Sequence, residues 1–445
     1  MAKKPSKQYI CSNCGAISST WSGKCHVCGE WNTLEEQITV TDLSGVKVKG
    51  SLKPEKISQA VNKDLKRLPT GIIDIDSVLG GGMVRGSVNL VAGQPGIGKS
   101  TLLLQIAANI GSKSGKVLYI SGEESAHQVG MRAERLGVKA PGLMLATSNS
   151  ADESAATIIN GDYDLVVVDS IQTMAVETGT SQAGSVSQVT SSAQMLTLAA
   201  KKSNAALILV GHVTKEGSIA GPKILEHSVD VVLQIEGDRY GGFKVLRAVK
   251  NRYGSTNEAA IFEMTDKGMI IVDNPSAALL DERQVTDGSV VLATLEGSRP
   301  LLVEVQALVN KTAYGYPKRA ASGFDLNRLN LLVAMLERRT KLKLAEYDIY
   351  INIVGGIQIK EPAADLAVCM AIASAAKQLK LKQDLVVFGE IGLSGEVRHV
   401  PMAEKRVSES AKLGFKGAIG PKSNQKISEL QSVGDIRTAL NKYLS

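Results

Sequence analysis

A chain of 445 residues exceeds the ~250–300 at which a single hydrophobic core usually splits, so two or three domains are expected. Hydrophobic residues make up 44%, the ordinary share for a globular protein, and no run of ~18 or more apolar residues occurs, which excludes a membrane-spanning helix. The net charge of +7 is compatible with a polyanionic partner without demanding one, and an aromatic share of 4% leaves few rings for stacking on bases.

The first eight residues carry lysines with no apolar stretch behind them, so no secretory signal is expected and the cytoplasm is the expected location. Four of the five cysteines follow closely, at Cys11, Cys14, Cys25 and Cys28. In a reducing compartment such a cluster reads as a metal site and not as disulfides. They form two CxxC pairs with ten residues between them, and Gly15 and Gly29 follow the pairs. Each CxxC turn brings two thiolates to one side, and two turns complete a tetrahedral Zn²⁺ shell at Zn–S distances of about 2.3 Å. His26 sits inside a pair and is left out of the ligand set. With no open position the zinc is structural, and its binding would fold a segment too small for a core. Residues 8–32 are therefore expected to be a four-cysteine zinc finger, and the polar, aperiodic stretch 33–56 a linker.

From 57 to 272 apolar runs at 87–93, 116–121, 165–170, 206–212 and 229–235 alternate with helix-like stretches, the pattern of a mostly parallel α/β sheet. Between the first run and the first helix lies Gly93-Gln94-Pro95-Gly96-Ile97-Gly98-Lys99-Ser100, followed by Thr101. This is a complete GxxxxGK[ST] in the strand–loop–helix context the motif requires. Its backbone N–H groups and the helix N-terminus cradle phosphates. Lys99 is expected to reach the β- and γ-phosphates and Ser100 to ligate Mg²⁺, so ATP and Mg²⁺ are the expected cofactors. The run 165–169 ends in Asp169, placing a second carboxylate at the sheet edge for the magnesium shell. The next acid after a strand, Glu123 of the pair Glu123-Glu124, can orient water for attack on the γ-phosphate; an isolated acidic pair reads better as a solvated pair or helix start, and its position relative to the phosphate loop raises the functional reading.

With Lys250-Asn251-Arg252-Tyr253-Gly254 near the end of this region, the chain resembles the RecA-type ATPases, and more narrowly the bacterial RadA family, also called Sms. The resemblance covers essentially the whole chain, and the KNR[FY]G pentapeptide is its most specific element. It implies that Glu123 activates water and that Lys250 and Arg252 reach the ATP of a neighbouring subunit. It places a polar sensor at His212, where recombinase RecA usually carries glutamine; a lone histidine otherwise reads as a satisfied core residue. It turns the stretches 174–188 and 214–226 into loops facing a central DNA path, the second offering Lys215 and Lys223 to phosphates; their alternative is two solvated loops. The partners so implied are single-stranded and branched DNA, the RecA recombinase through the zinc finger, and copies of the chain itself in a hexameric ring, in the nucleoid.

A Pro- and acid-rich break at 273–284 precedes a second alternation over 285–445, with strands expected at 289–297, 301–309, 347–356 and 385–392 and helices at 326–340, 363–378 and 402–413. From about residue 348 this resembles the proteolytic domain of Lon. Ala363 stands where that family has its serine nucleophile, and Glu404, with Lys405 one position off, where it has its lysine. A methyl group cannot attack a carbonyl, so no peptidase activity is expected. The domain would then serve oligomerisation, and Lys311, Lys318, Arg319, Arg328, Arg338 and Arg339 form either a DNA-facing surface or a solvated basic face. The functional expectation is a DNA-dependent ATPase that moves on single-stranded DNA in recombinational repair, by branch migration or helicase action. The alternative is a recombination mediator that uses ATP only as an assembly switch.

Overall fold

The computed structural model describes residues 7–11, 16–18, 20–38, 40–41, 47–48 and 66–444, apart from 114, 178–180, 214–218, 221–223, 238–241, 314 and 424–425. It divides into two compact units, Met1–Leu65 and Lys66–Ser445.

In the first unit strands Lys7–Cys11, Ile17–Ser18 and Leu34–Ile38 pair antiparallel, with Cys11 opposite Leu34. Residues 34–38 thus belong to this small sheet and not to the expected linker. The core is Cys11, Cys25 and Leu34, too little apolar area to hold a fold without a staple.

In the second unit ten strands form one sheet among the described residues. Its parallel part holds β1 (Val88–Gly93), β2 (Val117–Ser121), β3 (Leu143–Thr147), β4 (Leu165–Asp169), β5 (Ala206–Val213) and β6 (Val231–Gly237), in the order β3-β2-β4-β5-β1-β6. An antiparallel extension follows as β7 (Phe243–Asn251), β8 (Ala259–Thr265) and β9 (Gly268–Ile271), and the short strand Ile219–Ala220 pairs antiparallel with β5. Helices α1 (Lys99–Ser112), α2 (Ala126–Arg135), α3 (Ala151–Asn160) and α4 (Val186–Ser203) connect the strands. The central strands are buried on both faces, which explains their unbroken apolar runs. In β4, Leu165 and Val167 join a core with Leu103, Ile106 and Ile110 of α1. Val166 and Val168 join the opposite core with Ala155 and Ile158 of α3 and Val189 and Leu196 of α4. Helix α4 starts at Val186, inside the expected loop 174–188, because Ser185 accepts a hydrogen bond from the Gln188 N–H and caps it.

The expected break at 273–284 contains helix α5 (Pro275–Leu280), capped by Asn274 with Pro275 in the first turn. Beyond it a seven-stranded sheet takes in β10 (Ser289–Glu296), β11 (Arg299–Lys311), β12 (Arg319–Ser322), β13 (Tyr347–Ile353), β14 (Leu385–Val387), β15 (Gly417–Gly420) and β16 (Leu430–Ser432), in the order β12-β13-β11-β10-β14-β15-β16. Helices α6 (Leu326–Thr340), α7 (Asp365–Lys377), α8 (Ala403–Lys412) and α9 (Ile436–Tyr443) pack around it. The fold is thus α/β throughout this unit.

The two sheets share a core. Side chains alternate along a strand, so Leu246 and Ala248 of β7 face α1 while Phe243 and Val245 face the other way. The latter pair, with Ala259 and Ile261 of β8, is buried in the same cluster as Val291, Leu302 and Leu329 of the C-terminal domain. Ion pairs line the seam: Arg247 reaches Glu236 at 3.1 Å and Glu296 at 3.0 Å, Lys360 reaches Glu236 at 3.1 Å, and Arg299 reaches Asp74 at 3.2 Å. Among the described residues no helix is long and apolar enough to cross a membrane.

Of the six basic residues expected on a DNA-facing surface, at least three are tied into the fold; Arg339 donates from Nε to the Leu393 carbonyl at 3.3 Å. Arg328 pairs with the fully buried Asp365, and Arg319 donates to the carbonyls of Tyr347 and Leu344. Ala363 is 2% exposed, and Glu404 is on the surface. The domain holds a second ion pair with a fully buried member. Arg406, 0% exposed, donates twice to Glu361, at 2.8 and 2.7 Å, and once to the Ala293 carbonyl at 2.7 Å. Truncating one member of a buried pair strands the other charge. Arg406→Ala is therefore expected to cost about 3–5 kcal/mol, read as a lowered denaturant midpoint; an unchanged midpoint would count against a structural role for the pair.

Candidate functional site

In the zinc module the sulphurs of Cys11 and Cys28 lie 3.6 Å apart, and those of Cys11, Cys25 and Cys28 all fall within 4.8 Å of one another. Two thiolates on one tetrahedral Zn²⁺ stand about 3.8 Å apart, so the donor set and its spacing fit that ion. Backbone N–H groups of Cys28 and Val27 aim at Cys25 and hold its thiol below the ordinary range, which favours the ligating thiolate. Cys14 lies outside the described residues.

In the larger unit strand register gathers the expected ATP-site residues. His212 at the end of β5 pairs with Gly93 at the end of β1, and Asp169 at the end of β4 pairs with Ser121 at the end of β2. All four lie at the carboxyl edge of the parallel strands, the edge where such sheets bind ligands. Gly93 to Ser100 bend around the start of α1. Gly98 takes φ 110°, open to glycine at low cost, and a Cβ there would sit 2.5 Å from the Met264 side chain. Gln94, Pro95 and Gly96 are exposed, Ile97 plugs the core, Ser100 is half-buried, and Thr101 is buried in the first turn.

Lys99 is 5% exposed, and its ammonium donates to the carbonyls of Gly93 at 2.8 Å and Gln94 at 3.0 Å and to Nδ1 of His212 at 3.2 Å. An ammonium only donates, so Nδ1 must accept and Nε2 carries the proton. That Nε2 lies 3.2 Å from Oε1 of Glu123, which also accepts from the Ser170 hydroxyl. The bond from His212, then that from Ser170 and the charge of Lys99, hold Glu123 down to about 2 against the opposing effect of burial. A carboxylate that weakly basic can orient water but takes a proton poorly. Glu124 goes a separate way, in a two-pronged pair with Arg132 of α2 at 2.6 and 2.5 Å. Asp169 is 7% exposed, and its Oδ2 accepts from the Tyr119 hydroxyl at 2.6 Å. Tyr119, Ser170 and Arg132 escaped sequence reasoning, since a tyrosine inside an apolar run reads as core.

The pentapeptide lies at the opposite edge. Lys250 lies one residue before the end of β7, and its ammonium donates to the carbonyls of Glu226 at 2.7 Å, Val229 at 2.7 Å and His227 at 3.3 Å. Arg252 is half exposed and pairs with Asp230 at 3.3 Å, and Asp230 in turn accepts from the N–H of Val88, the first residue of β1. From Val88 to Gly93 is five residues, about 16 Å at ~3.3 Å each, farther than an arginine reaches. Asn251 turns the chain, accepting from the Tyr253 N–H and donating to the Val78 carbonyl, and Gly254 packs on Gly80. Lys250 is thus spent on backbone carbonyls, while Arg252 presents its guanidinium to solvent. Lys215 and Lys223 lie outside the described residues.

Two outcomes follow from this geometry. Metal analysis of the full chain should find about one zinc, lost in Cys25→Ser; a metal-free wild-type chain that is natively folded would contradict the fit. Burial pulls Lys99 down to about 8. A phosphate against it favours the charged form, so between the free and bound values nucleotide binding takes up a proton, and affinity should weaken as pH rises past about 8. Calorimetry in two buffers of different ionisation enthalpy measures that uptake; none at that pH would mean that Lys99 is fully charged before binding.

Three family models match stretches of the chain. Residues 67–218 match the family model described as an AAA domain, residues 9–36 the rubredoxin metal binding domain, and residues 331–424 subunit ChlI of Mg-chelatase, on the stretch where a Lon-type domain is expected. The DNA repair protein RadA of Aquifex aeolicus is 46% identical over 93% of this chain and 93% of its own length. That of Listeria monocytogenes is 47% identical over 96% and 94%, and that of Escherichia coli 44% identical over 95% and 94%. Among solved structures, the RadB recombinase covers 46% of this chain and 100% of its own, at 25% identity and a TM-score of 0.37. The chain belongs to the RadA family of DNA repair proteins.

Proposed function

We propose that the chain hydrolyses ATP in a ring of copies of itself and uses the cycle to move on single-stranded DNA, extending recombination intermediates by branch migration. The observation that carries this reading is the separation of Arg252 from Lys99 across the sheet. A guanidinium at the edge away from its own phosphate loop serves a nucleotide only if a second copy presents one. In this reading Lys99 holds the β- and γ-phosphates, Glu123 orients the attacking water, and His212 links the two as the sensor. Ser100 and Asp169, hard oxygen donors, would hold Mg²⁺, which when bound neutralises phosphate charge. Lys250 positions the turn that carries Arg252. The weak basicity of Glu123 suits a loose phosphoryl transition state, in which little proton transfer is required before the bond breaks. The RecA recombinase as a partner of the zinc module, and Lys215 and Lys223 on DNA, belong to the same proposal.

Arg252→Ala should bind ATP and hydrolyse it ~10³-fold or more slowly. Mixed with Lys99→Ala, which keeps a good arginine but a poor loop, it should regain part of the turnover, because some junctions then join an intact loop to an intact Arg252. No regain would place the arginine's action within one chain and remove the argument for the ring. Lys99→Ala should also fail to unwind forked DNA; normal unwinding would favour the assembly-switch alternative.

A further inference from the structure

Tyr119 lies in the middle of β2 and is 2% exposed, among Val117, Leu165 and Val167 on the α1 face of the sheet. Register pairs it with Val167 and pairs Ser121 with Asp169. Tyr119 and Asp169 therefore share a face but sit on a diagonal, one residue pair apart along it. The phenol is long enough to span that diagonal; a serine or threonine at 119 is not. Its hydroxyl donates to Oδ2 of Asp169 at 2.6 Å, the short distance of a charge-assisted bond. The torsion that turns a carboxylate is broad and two-fold, so an unrestrained aspartate offers either oxygen in a range of orientations. Arg132 and Glu124, paired with each other, lie within electrostatic range of the phenol.

We propose that Tyr119 is a positioning residue for Asp169: its hydroxyl occupies Oδ2 and fixes the carboxylate so that Oδ1 serves the magnesium shell. The inference rests on the proposed assignment of Asp169 to that shell. Partners that hold a metal-serving group in place commonly change metal affinity by ~10–100-fold when removed.

The test uses the full chain and a fluorescent, non-hydrolysable ATP analogue, with affinity measured in EDTA and across a Mg²⁺ titration. Tyr119→Phe keeps the ring and removes only the hydroxyl. It should leave affinity in EDTA unchanged and raise the Mg²⁺ concentration for half-maximal enhancement by about tenfold. Asp169→Asn, measured alongside, should flatten the Mg²⁺ response. If Asp169→Asn flattens the response and Tyr119→Phe leaves it at the wild-type midpoint, the role of Tyr119 is overturned and that of Asp169 stands. If Tyr119→Phe weakens binding equally in EDTA, the tyrosine is a packing residue and the inference also fails. If Asp169→Asn responds to Mg²⁺ as wild type does, the assignment of Asp169 itself is wrong, and the inference falls with it.

Discussion

Parallel pairing sends every strand out through the same edge of a sheet, and that polarity decides which residues of this chain can meet. β1, β2, β4 and β5 deliver Gly93, Ser121, Asp169 and His212 to one edge because the ladder aligns His212 with Gly93 and Asp169 with Ser121. A slip of one residue would turn Asp169 toward the α3 and α4 core and lose both its partner and its access. The same rule works in reverse for β7. Being antiparallel, it runs back to the amino edge and leaves Arg252 beside Val88. The division of basic groups between two edges is a consequence of topology, independent of how any loop is placed.

At the carboxyl edge the charges are chained together. Lys99, His212 and Glu123 make one continuous path of hydrogen bonds, with the imidazole accepting on one side and donating on the other. Glutamine could bridge the same groups only by offering an amide oxygen to the lysine and an amide nitrogen to the acid, so a histidine here preserves the pattern with a more rigid ring. Burial of Lys99 opposes its charge, and the nearby Asp169 and Glu123 oppose that effect. Such a site favours an incoming polyanion, which supplies the negative charge that the half-desolvated ammonium lacks.

Much of this was legible in the sequence where the signal is local. The phosphate loop is eight contiguous residues between a strand and a helix, and the doubled CxxC needs only its own spacing. The alternation of runs gives the α/β class because period and burial share one cause. What was not legible depends on partners distant in sequence. The Tyr119 hydroxyl finds an acid 50 residues away. Lys250 looks like Arg252's equal in the pentapeptide, yet the carbonyls of Glu226, His227 and Val229 consume its ammonium. Arg328 looks like surface charge until Asp365 is placed beside it. In each case residue type is informative about chemistry, and only the fold decides whether that chemistry faces inward or outward.

The C-terminal domain, which lacks a serine at Ala363, has a structural reason to remain. Ten consecutive residues of α7, from Asp365 to Ser374, are buried, as expected of a helix that is apolar all round. The turn before that helix is fixed by the pair between Glu361 and Arg406. One residue earlier, Lys360 reaches Glu236 at the end of β6, the strand alongside the phosphate-loop strand β1. The same domain covers Phe243 and Val245, the face of β7 that α1 leaves bare. An antiparallel extension with one uncovered apolar face would expose those side chains and free the strand to shift. Since β7 ends in Lys250 and Asn251 and passes directly into Arg252, the packing of the C-terminal domain fixes where that guanidinium stands.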